Sequence, residues 1–210
     1  MQNIIFDFGN VLFDLELGAI HREMQQLLNG QYTEVRDRLR KANVFHLYET
    51  GGLTTEEFVE TVRQACDPPL KAEQFIAAWN SIFIGMPRER FDMLLQLRQH
   101  YKVFLLSNIN DLHANWIDDY MLREHNLPDF QTLYFDAVYY SHLIRLRKPD
   151  RNIYEYVLAD AEILPEDCVF IDDLEPNIEA ARALGIKSIH KTPDLDIMSL
   201  MKGFINRQMP

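Results

Sequence analysis

Residues 4–6 (IIF) are apolar without a break, Asp7 follows, and the chain turns apolar again at residues 11–13 after Gly9 and Asn10. A short apolar run closed by turn-forming residues predicts a buried strand. The pattern repeats downstream. Residues 87–100 (PRERFDMLLQLRQH) space their apolar positions three and four apart behind a proline, which predicts a helix, and residues 102–106 (KVFLL) predict the strand after it. FDAVYY (135–140), CVFI (168–171) and IKSIH (186–190) predict three more strands, with helices over 152–161 and 176–185 between them. Strands that alternate with helices imply an α/β fold, a parallel sheet covered by helices on both faces.

Residues 14 to about 85 follow another rule. They contain four amphipathic stretches, 20–29, 33–48, 54–66 and 71–83, and no convincing strand. Thr54 and Glu57 stand at capping-box spacing at the head of the third. An all-helical block over 15–85 therefore interrupts an α/β core made of 1–14 and 86–210. Within it, YETGGLT (48–54) places two glycines between helices, a flexible turn able to reach over the core's crevice. Phe75, Trp79 and Phe83 read as packing residues.

With 210 residues, 47% of them hydrophobic, the chain is long enough for one domain carrying an insert. The 21 Lys and Arg face 32 Asp and Glu, and the formal net charge of −11 repels nucleic-acid phosphates and anionic membranes. The richest basic stretch, with Arg145, Arg147, Lys148 and Arg151, is too short for a nucleic-acid stripe and suits one small anion. Cys66 and Cys168 stand far apart, so neither a disulfide framework nor a zinc site is indicated, and a reduced cytosol fits. No basic leader precedes an apolar stretch, and no run approaches the ~18 apolar residues of a membrane span. The expectation is a soluble cytoplasmic protein with no membrane or nucleic-acid partner, as a monomer or a homodimer.

In open α/β sheets the ligand crevice lies at the carboxyl ends of the strands. Asp7, the pair Ser107-Asn108, Lys148 and the pair Asp172-Asp173 all fall there. One carboxylate after a strand is ordinarily a helix cap. Acid, hydroxyl and amide, lysine and acid pair at successive strand ends are harder to assign to capping. Three carboxylates without cysteine or histidine beside them form a hard oxygen site, suited to Mg²⁺ holding a phosphate. A lysine and a hydroxyl–amide pair grip the phosphate oxygens, and one carboxylate is left to attack phosphorus, giving an aspartyl phosphate.

The series Asp7-Phe8-Gly9-Asn10-Val11, Ser107-Asn108, Lys148-Pro149 and Asp172-Asp173 resembles motifs I to IV of the haloacid dehalogenase superfamily, in order and over nearly the whole chain. The resemblance implies a Rossmann-like core with a helical cap of the C1 type inserted after motif I. FDFGNVL, LLSNIN with His113 and Trp116 behind it, LRKPDRNIY and FIDDLEPNIEAARALG further resemble the glucose-1-phosphate phosphatase-like branch, related to the phosphatase domain of soluble epoxide hydrolases. By motif position, Asp7 is the nucleophile and a metal ligand, Ser107 and Asn108 hold the phosphoryl group, and Lys148 pairs with phosphate and nucleophile. Asp173 contacts the metal directly, Asp172 supports it, and Asn177 either binds a metal-bound water or caps its helix.

The family's usual general acid is a second aspartate two residues after the nucleophile. Gly9 stands there, which keeps the backbone carbonyl for Mg²⁺ and loses the acid. His113, five residues beyond Asn108, is a candidate for part of the missing function or an ordinary packed histidine. Glu49 in the cap touches a sugar hydroxyl or is solvated. The expected function is a Mg²⁺-dependent phosphatase of small phosphorylated metabolites, sugar phosphates first. A 2-haloacid dehalogenase and a catalytically silent binding or regulatory module are the alternatives; the crowded Asp172-Asp173 pair argues against the former, because a metal-free site gains nothing from it.

Overall fold

A computed structural model describes residues 2–206. In chain order the elements are β1 (Asn3–Phe6), β2 (Asp14–Leu15), α1 (Ala19–Leu27), α2 (Tyr32–Lys41), α3 (Val44–Glu49), α4 (Thr55–Gln64), α5 (Ala72–Trp79) and β3 (Phe83–Gly85). There follow α6 (Arg88–Arg98), β4 (Lys102–Ser107), α7 (Asp111–His125), α8 (Phe130–Tyr134), β5 (Ala137–Tyr140), α9 (Ser141–Ile144), α10 (Arg151–Asp160), β6 (Cys168–Asp172), α11 (Glu175–Arg182), β7 (Lys187–His190) and α12 (Ile197–Asn206).

Five strands form one parallel sheet in the order β5-β4-β1-β6-β7. The five strands expected from the sequence are these five. Side chains alternate across the sheet and both sides of its centre are covered, so β1, β4 and β6 read as nearly continuous apolar runs. Ile4, Phe6, Val103, Leu105, Val169 and Ile171 pack on one side with Leu94, Leu97, Ile117 and Met201 from α6, α7 and α12. Ile5, Phe104, Leu106 and Phe170 pack on the other with Ile153, Val157, Ile178 and Ala181 from α10 and α11. The chain leaves central β1 for β4 and β5 on one flank and later returns to β6 and β7 on the other, so the carboxyl end of β1 lies at the point where the sheet order reverses.

Residues 19–79 fold as five helices around a separate apolar cluster that includes Tyr48, Phe58 and Phe75. Tyr48 stacks on Phe58 with ring centroids 4.0 Å apart. The Thr54 capping box is formed: Glu57 N–H donates to Thr54 Oγ1 at 3.2 Å and Thr54 N–H to Glu57 Oε2 at 2.8 Å. Two expectations need correction. The helix read over 33–48 is broken, because Asn43 adopts a left-handed φ of 60° between α2 and α3. The block is also not free of strand: β2 and β3 pair antiparallel where the chain enters and leaves it. Arg90 Nη1 fastens that ribbon, donating to Asp14 Oδ1 at 2.7 Å and to the Leu12 carbonyl at 2.9 Å.

The helical block is pinned to the sheet's carboxyl edge. Leu112 N–H donates to Tyr48 Oη at 3.0 Å, Thr55 Oγ1 to Asp111 Oδ2 at 2.6 Å, and Ser141 Oγ to the Glu49 carbonyl at 2.7 Å. The glycine turn read as flexible is docked too. Gly51 has a φ of 66°, and a Cβ there would run into the His142 carbonyl, so glycine is required for close approach. Among the described residues no helix is long and apolar enough to cross a membrane.

Candidate active site

Asp7 follows β1 directly, and its N–H still donates to the Ile171 carbonyl at 2.8 Å, so the strand ladder fixes the backbone that carries the carboxylate. Ser107 and Asp172 are the last residues of the flanking strands β4 and β6. Lys148 lies in the loop between α9 and α10 and is buried to 1% exposure. Three strand ends and one loop thus meet at one spot.

Lys148 Nζ is the hub. It donates to Asp7 Oδ1 at 2.6 Å, to Asp172 Oδ2 at 2.7 Å and to the Leu106 carbonyl at 2.8 Å, which uses all three ammonium protons. A buried ammonium needs such compensation. Burial works against the charged lysine, and the Asp7 and Asp172 carboxylates outweigh it, holding its pKa above the ordinary value. Asp7 is pushed up from 3.8 to about 7, chiefly by burial, with Lys148 opposing and Asp172 reinforcing the rise. Asp173 is raised as well, by burial and then by Asp172.

The three aspartates each offer an oxygen atom within 4.8 Å of the others. They are not equivalent. Asp172 is fully buried and accepts three hydrogen bonds from the protein: Lys148 Nζ on Oδ2, and Leu174 N–H and Asn177 Nδ2, each at 2.8 Å, on Oδ1. Asp173 is half-buried and accepts one longer bond, from Asn10 Nδ2 at 3.4 Å. Asn177 Nδ2 thus orients Asp172, and its side chain caps no helix end.

Asp7, Gly9, Ser107, Asn108, His113, Lys148 and Asp173 line one cavity of about 200 Å³ whose remaining wall includes Leu17, Ile82 and Phe83 from the junction with the helical block. Ser107 Oγ makes no hydrogen bond among the described residues. Asn108, expected to hold a phosphoryl group, lines the cavity and also braces the loop: Lys148 N–H donates to Oδ1 at 2.9 Å and Nδ2 donates to the Lys148 carbonyl at 2.8 Å.

His113 lies on this wall with both ring nitrogens engaged. Its Nε2 is 3.1 Å from the Trp79 carbonyl, an acceptor, and its Nδ1 is 3.2 Å from Asn110 Nδ2, a donor. The ring is thereby held as the neutral Nε2–H tautomer, and burial lowers its pKa from 6.5 to about 4. The expectation that it supplies the missing acid does not fit this geometry. Glu49 lies elsewhere, in a neighbouring cavity of the helical block, ion-paired with Arg147 Nη2 at 3.2 Å. Two polar residues not foreseen in the sequence complete the site: Asn10, with a left-handed φ of 55°, and His190, whose Nε2 donates to the Asp173 carbonyl at 2.9 Å. The Gly9-Asn10 turn was a signal for the first; nothing in the local sequence marks the second.

With His113 bound up by its neighbours, the cavity presents carboxylate oxygens beside a fixed cation and a hydroxyl at the switch point of a parallel sheet. That arrangement is a Rossmann-like α/β crevice able to hold a metal ion and an anion together. Residues 1–185 match the family description "haloacid dehalogenase-like hydrolase", and the chain belongs to that family. It is 27% identical over 188 residues to a D-ribitol-5-phosphate phosphatase of Bacteroides thetaiotaomicron, covering 90% of each chain. A haloacid dehalogenase family enzyme of the same organism, solved in complex with magnesium and inorganic phosphate, superposes with a TM-score of 0.84 at 30% identity, over 95% of this chain and 98% of that one. A hydrolase of Porphyromonas gingivalis described as HAD-like gives a TM-score of 0.83 at 26% identity over 99% of both chains.

Proposed function

We propose that this protein is a Mg²⁺-dependent phosphatase of small phosphorylated metabolites, sugar phosphates foremost, acting through an aspartyl phosphate on Asp7. The observation that carries the reading is the buried Lys148 ammonium between Asp7 at 2.6 Å and Asp172 at 2.7 Å, at the mouth of a cavity that also holds Ser107 and Asp173. The similar enzymes named above, a ribitol-phosphate phosphatase and one binding magnesium and phosphate, support it.

The donor set fits Mg²⁺, because Asp7, Asp173 and the Gly9 carbonyl supply oxygen alone. Bound there, Mg²⁺ neutralises the phosphoryl oxygens as charge builds on them. The chain does the rest. Lys148 holds Oδ1 of Asp7, so the other oxygen is the one presented to phosphorus, and the Ser107 hydroxyl donates to a phosphoryl oxygen. Attack forms the Asp7–phosphorus bond and breaks the ester bond to the leaving oxygen. Water then attacks phosphorus, releasing phosphate and restoring the carboxylate. Asp172 and Asn177 keep Lys148 in place. Gly9 offers no proton to the leaving oxygen, so substrates that leave as weak bases are favoured. In this reading residues 15–85 are the cap that closes the cavity.

Phosphate release from a panel of sugar phosphates, measured with Mg²⁺, with chelator and for Asp7→Asn, tests the proposal. Release that needs Mg²⁺ and Asp7 is expected. Metal-independent halide release from 2-chloropropionate would instead indicate a dehalogenase, and no turnover of either class a silent module.

A further inference from the structure

A second cavity, of about 510 Å³, lies within the helical block, lined by His21, Arg36, Arg40, His46, Trp79 and Arg147 among others. It adjoins the first at three places. Leu17 lines both cavities. Arg147 is the chain neighbour of Lys148. The Trp79 ring stacks on His113, with centroids 5.4 Å apart and planes at 21°, and His113 lines the Asp7 cavity.

Its charge runs against that of the molecule. In a chain of net charge −11, three guanidinium groups face this cavity and only one carboxylate, Glu49, does. Glu49 is matched by Arg147 at 3.2 Å, and Arg36 pairs with the exposed Asp37 at 3.2 Å. Arg147 Nη1 also donates to His46 Nδ1 at 3.3 Å, which leaves its Nε without an acceptor. Arg147 Nε, Trp79 Nε1 and His21 Nδ1 are covered from solvent and unpaired among the described residues. Buried polar atoms ordinarily have partners, so three unpaired ones beside the Arg40 guanidinium, which meets no carboxylate among the described residues, favour an anionic ligand over a neutral one.

We infer that this cavity takes a second anionic group of the substrate, borne at the far end of a carbon skeleton whose phosphate lies at Lys148 and Asp7. The substrate class is then a phosphorylated sugar acid or a sugar bisphosphate, and a neutral polyol phosphate is the poorer ligand. The inference rests on the phosphatase reading for the placement of the first phosphate. Arg36 and Arg40 are its binding residues, with Arg147 between the two cavities.

Calorimetric binding to the Asp7→Asn protein with Mg²⁺ tests it, comparing a pentitol 5-phosphate with the matching 5-phosphopentonate and pentitol 1,5-bisphosphate. A charge-assisted contact to guanidinium predicts that at least one doubly anionic ligand binds about 10- to 100-fold tighter than the polyol phosphate. That advantage should shrink to about threefold or less in Arg36→Gln/Arg40→Gln. The better of the two doubly anionic ligands tells whether the cavity receives carboxylate or phosphate. Equal affinity for all three ligands, or an advantage that survives the double substitution in a protein folded by circular dichroism, overturns the inference. The readout needs no turnover: a preference without phosphate release in the wild type refutes only the phosphatase reading, and release without a preference refutes only the second anion site.

Discussion

Gly9→Asp is the most informative single change at this site. The wild-type cavity holds no side chain at the position where the family's general acid stands, and His113 is held neutral with both nitrogens bonded. The turn tolerates the substitution: Gly9 is not among the glycines with a left-handed φ, and the nearest obstacle to a Cβ is Leu15 Cδ1 at 2.6 Å, the tip of a flexible side chain. Displacing that tip to an off-rotamer position costs about 0.5–1.5 kcal/mol. General acid catalysis contributes ~10² to 10⁴ in rate, or about 3–5 kcal/mol, so the gain exceeds the strain. The assay is kcat/KM across phosphate monoesters of graded leaving-group pKa, from nitrophenyl to alkyl. Wild type should fall steeply along the series, while Gly9→Asp should flatten the slope by raising the alkyl esters ~10²-fold or more and moving the aryl esters little. Gly9→Asp/Leu15→Ala removes the clash and separates misfit from mechanism. A flat wild-type slope, showing that an acid already acts, would refute the reasoning. So would a double variant that binds Mg²⁺ and gains nothing on alkyl esters.

Lys148→Met strands the Asp7 and Asp172 carboxylates at a buried point, and removing one partner of such a cluster costs about 3–5 kcal/mol, to be read as a lowered urea midpoint at unchanged slope. Restored stability in Lys148→Met/Asp172→Asn would show that the unpaired charge is the cause. Asp7, whose folded pKa of about 7 lies above the ordinary 3.8, binds more protons folded than unfolded between those values. Its contribution to the metal-free protein is therefore full below about pH 4 and lost as pH rises toward 7, and Mg²⁺ restores it. The rise in Tm on adding Mg²⁺ should be larger at pH 8 than at pH 5, and equal shifts would contradict this. His113 has the opposite sign: its pKa falls from 6.5 to about 4 on folding, so the unfolded chain binds the extra proton and stability is lost as pH drops through that window. His113→Gln should flatten the pH dependence of the urea midpoint between 6.5 and 4.5.

What the sequence made legible follows from how many neighbours each feature needs. The central strands β1, β4 and β6 were readable because both faces are buried, which writes an apolar run into each, while edge strand β7, KSIH and only partly buried, followed from the alternation of strand and helix. The ribbon of β2 and β3 was not, since two or three residues carry no period and the pairing joins segments from opposite ends of the helical block. The break at Asn43 was hidden because apolar spacing continues through 33–48, and only the left-handed asparagine marks the interruption. At the site, Asp7, Ser107, Lys148 and the Asp172-Asp173 pair could be picked out one by one, because a polar residue at the end of an apolar strand stands out locally.

Their division of labour could not be read, because it depends on which acceptors and donors arrive from other elements. Lys148 draws on Asp7 after β1, Leu106 of β4 and Asp172 of β6, and once its three protons are spent it works as a fixed strut. That arrangement, together with Asn177 and the Leu174 N–H, occupies Asp172 and leaves the neighbouring, less encumbered Asp173 to face a ligand. Two adjacent aspartates in the sequence thus come to different surroundings, one spent on protein donors and one lining the cavity, through partners that no local pattern names. The same logic governs Arg36, Arg40 and Arg147, which look like solvated surface charges until α2 and the Lys148 loop bring them to one cavity. Charges spread along the chain become neighbours only when the fold brings their elements together, and partial cover strengthens their hold on an opposite charge relative to open solvent.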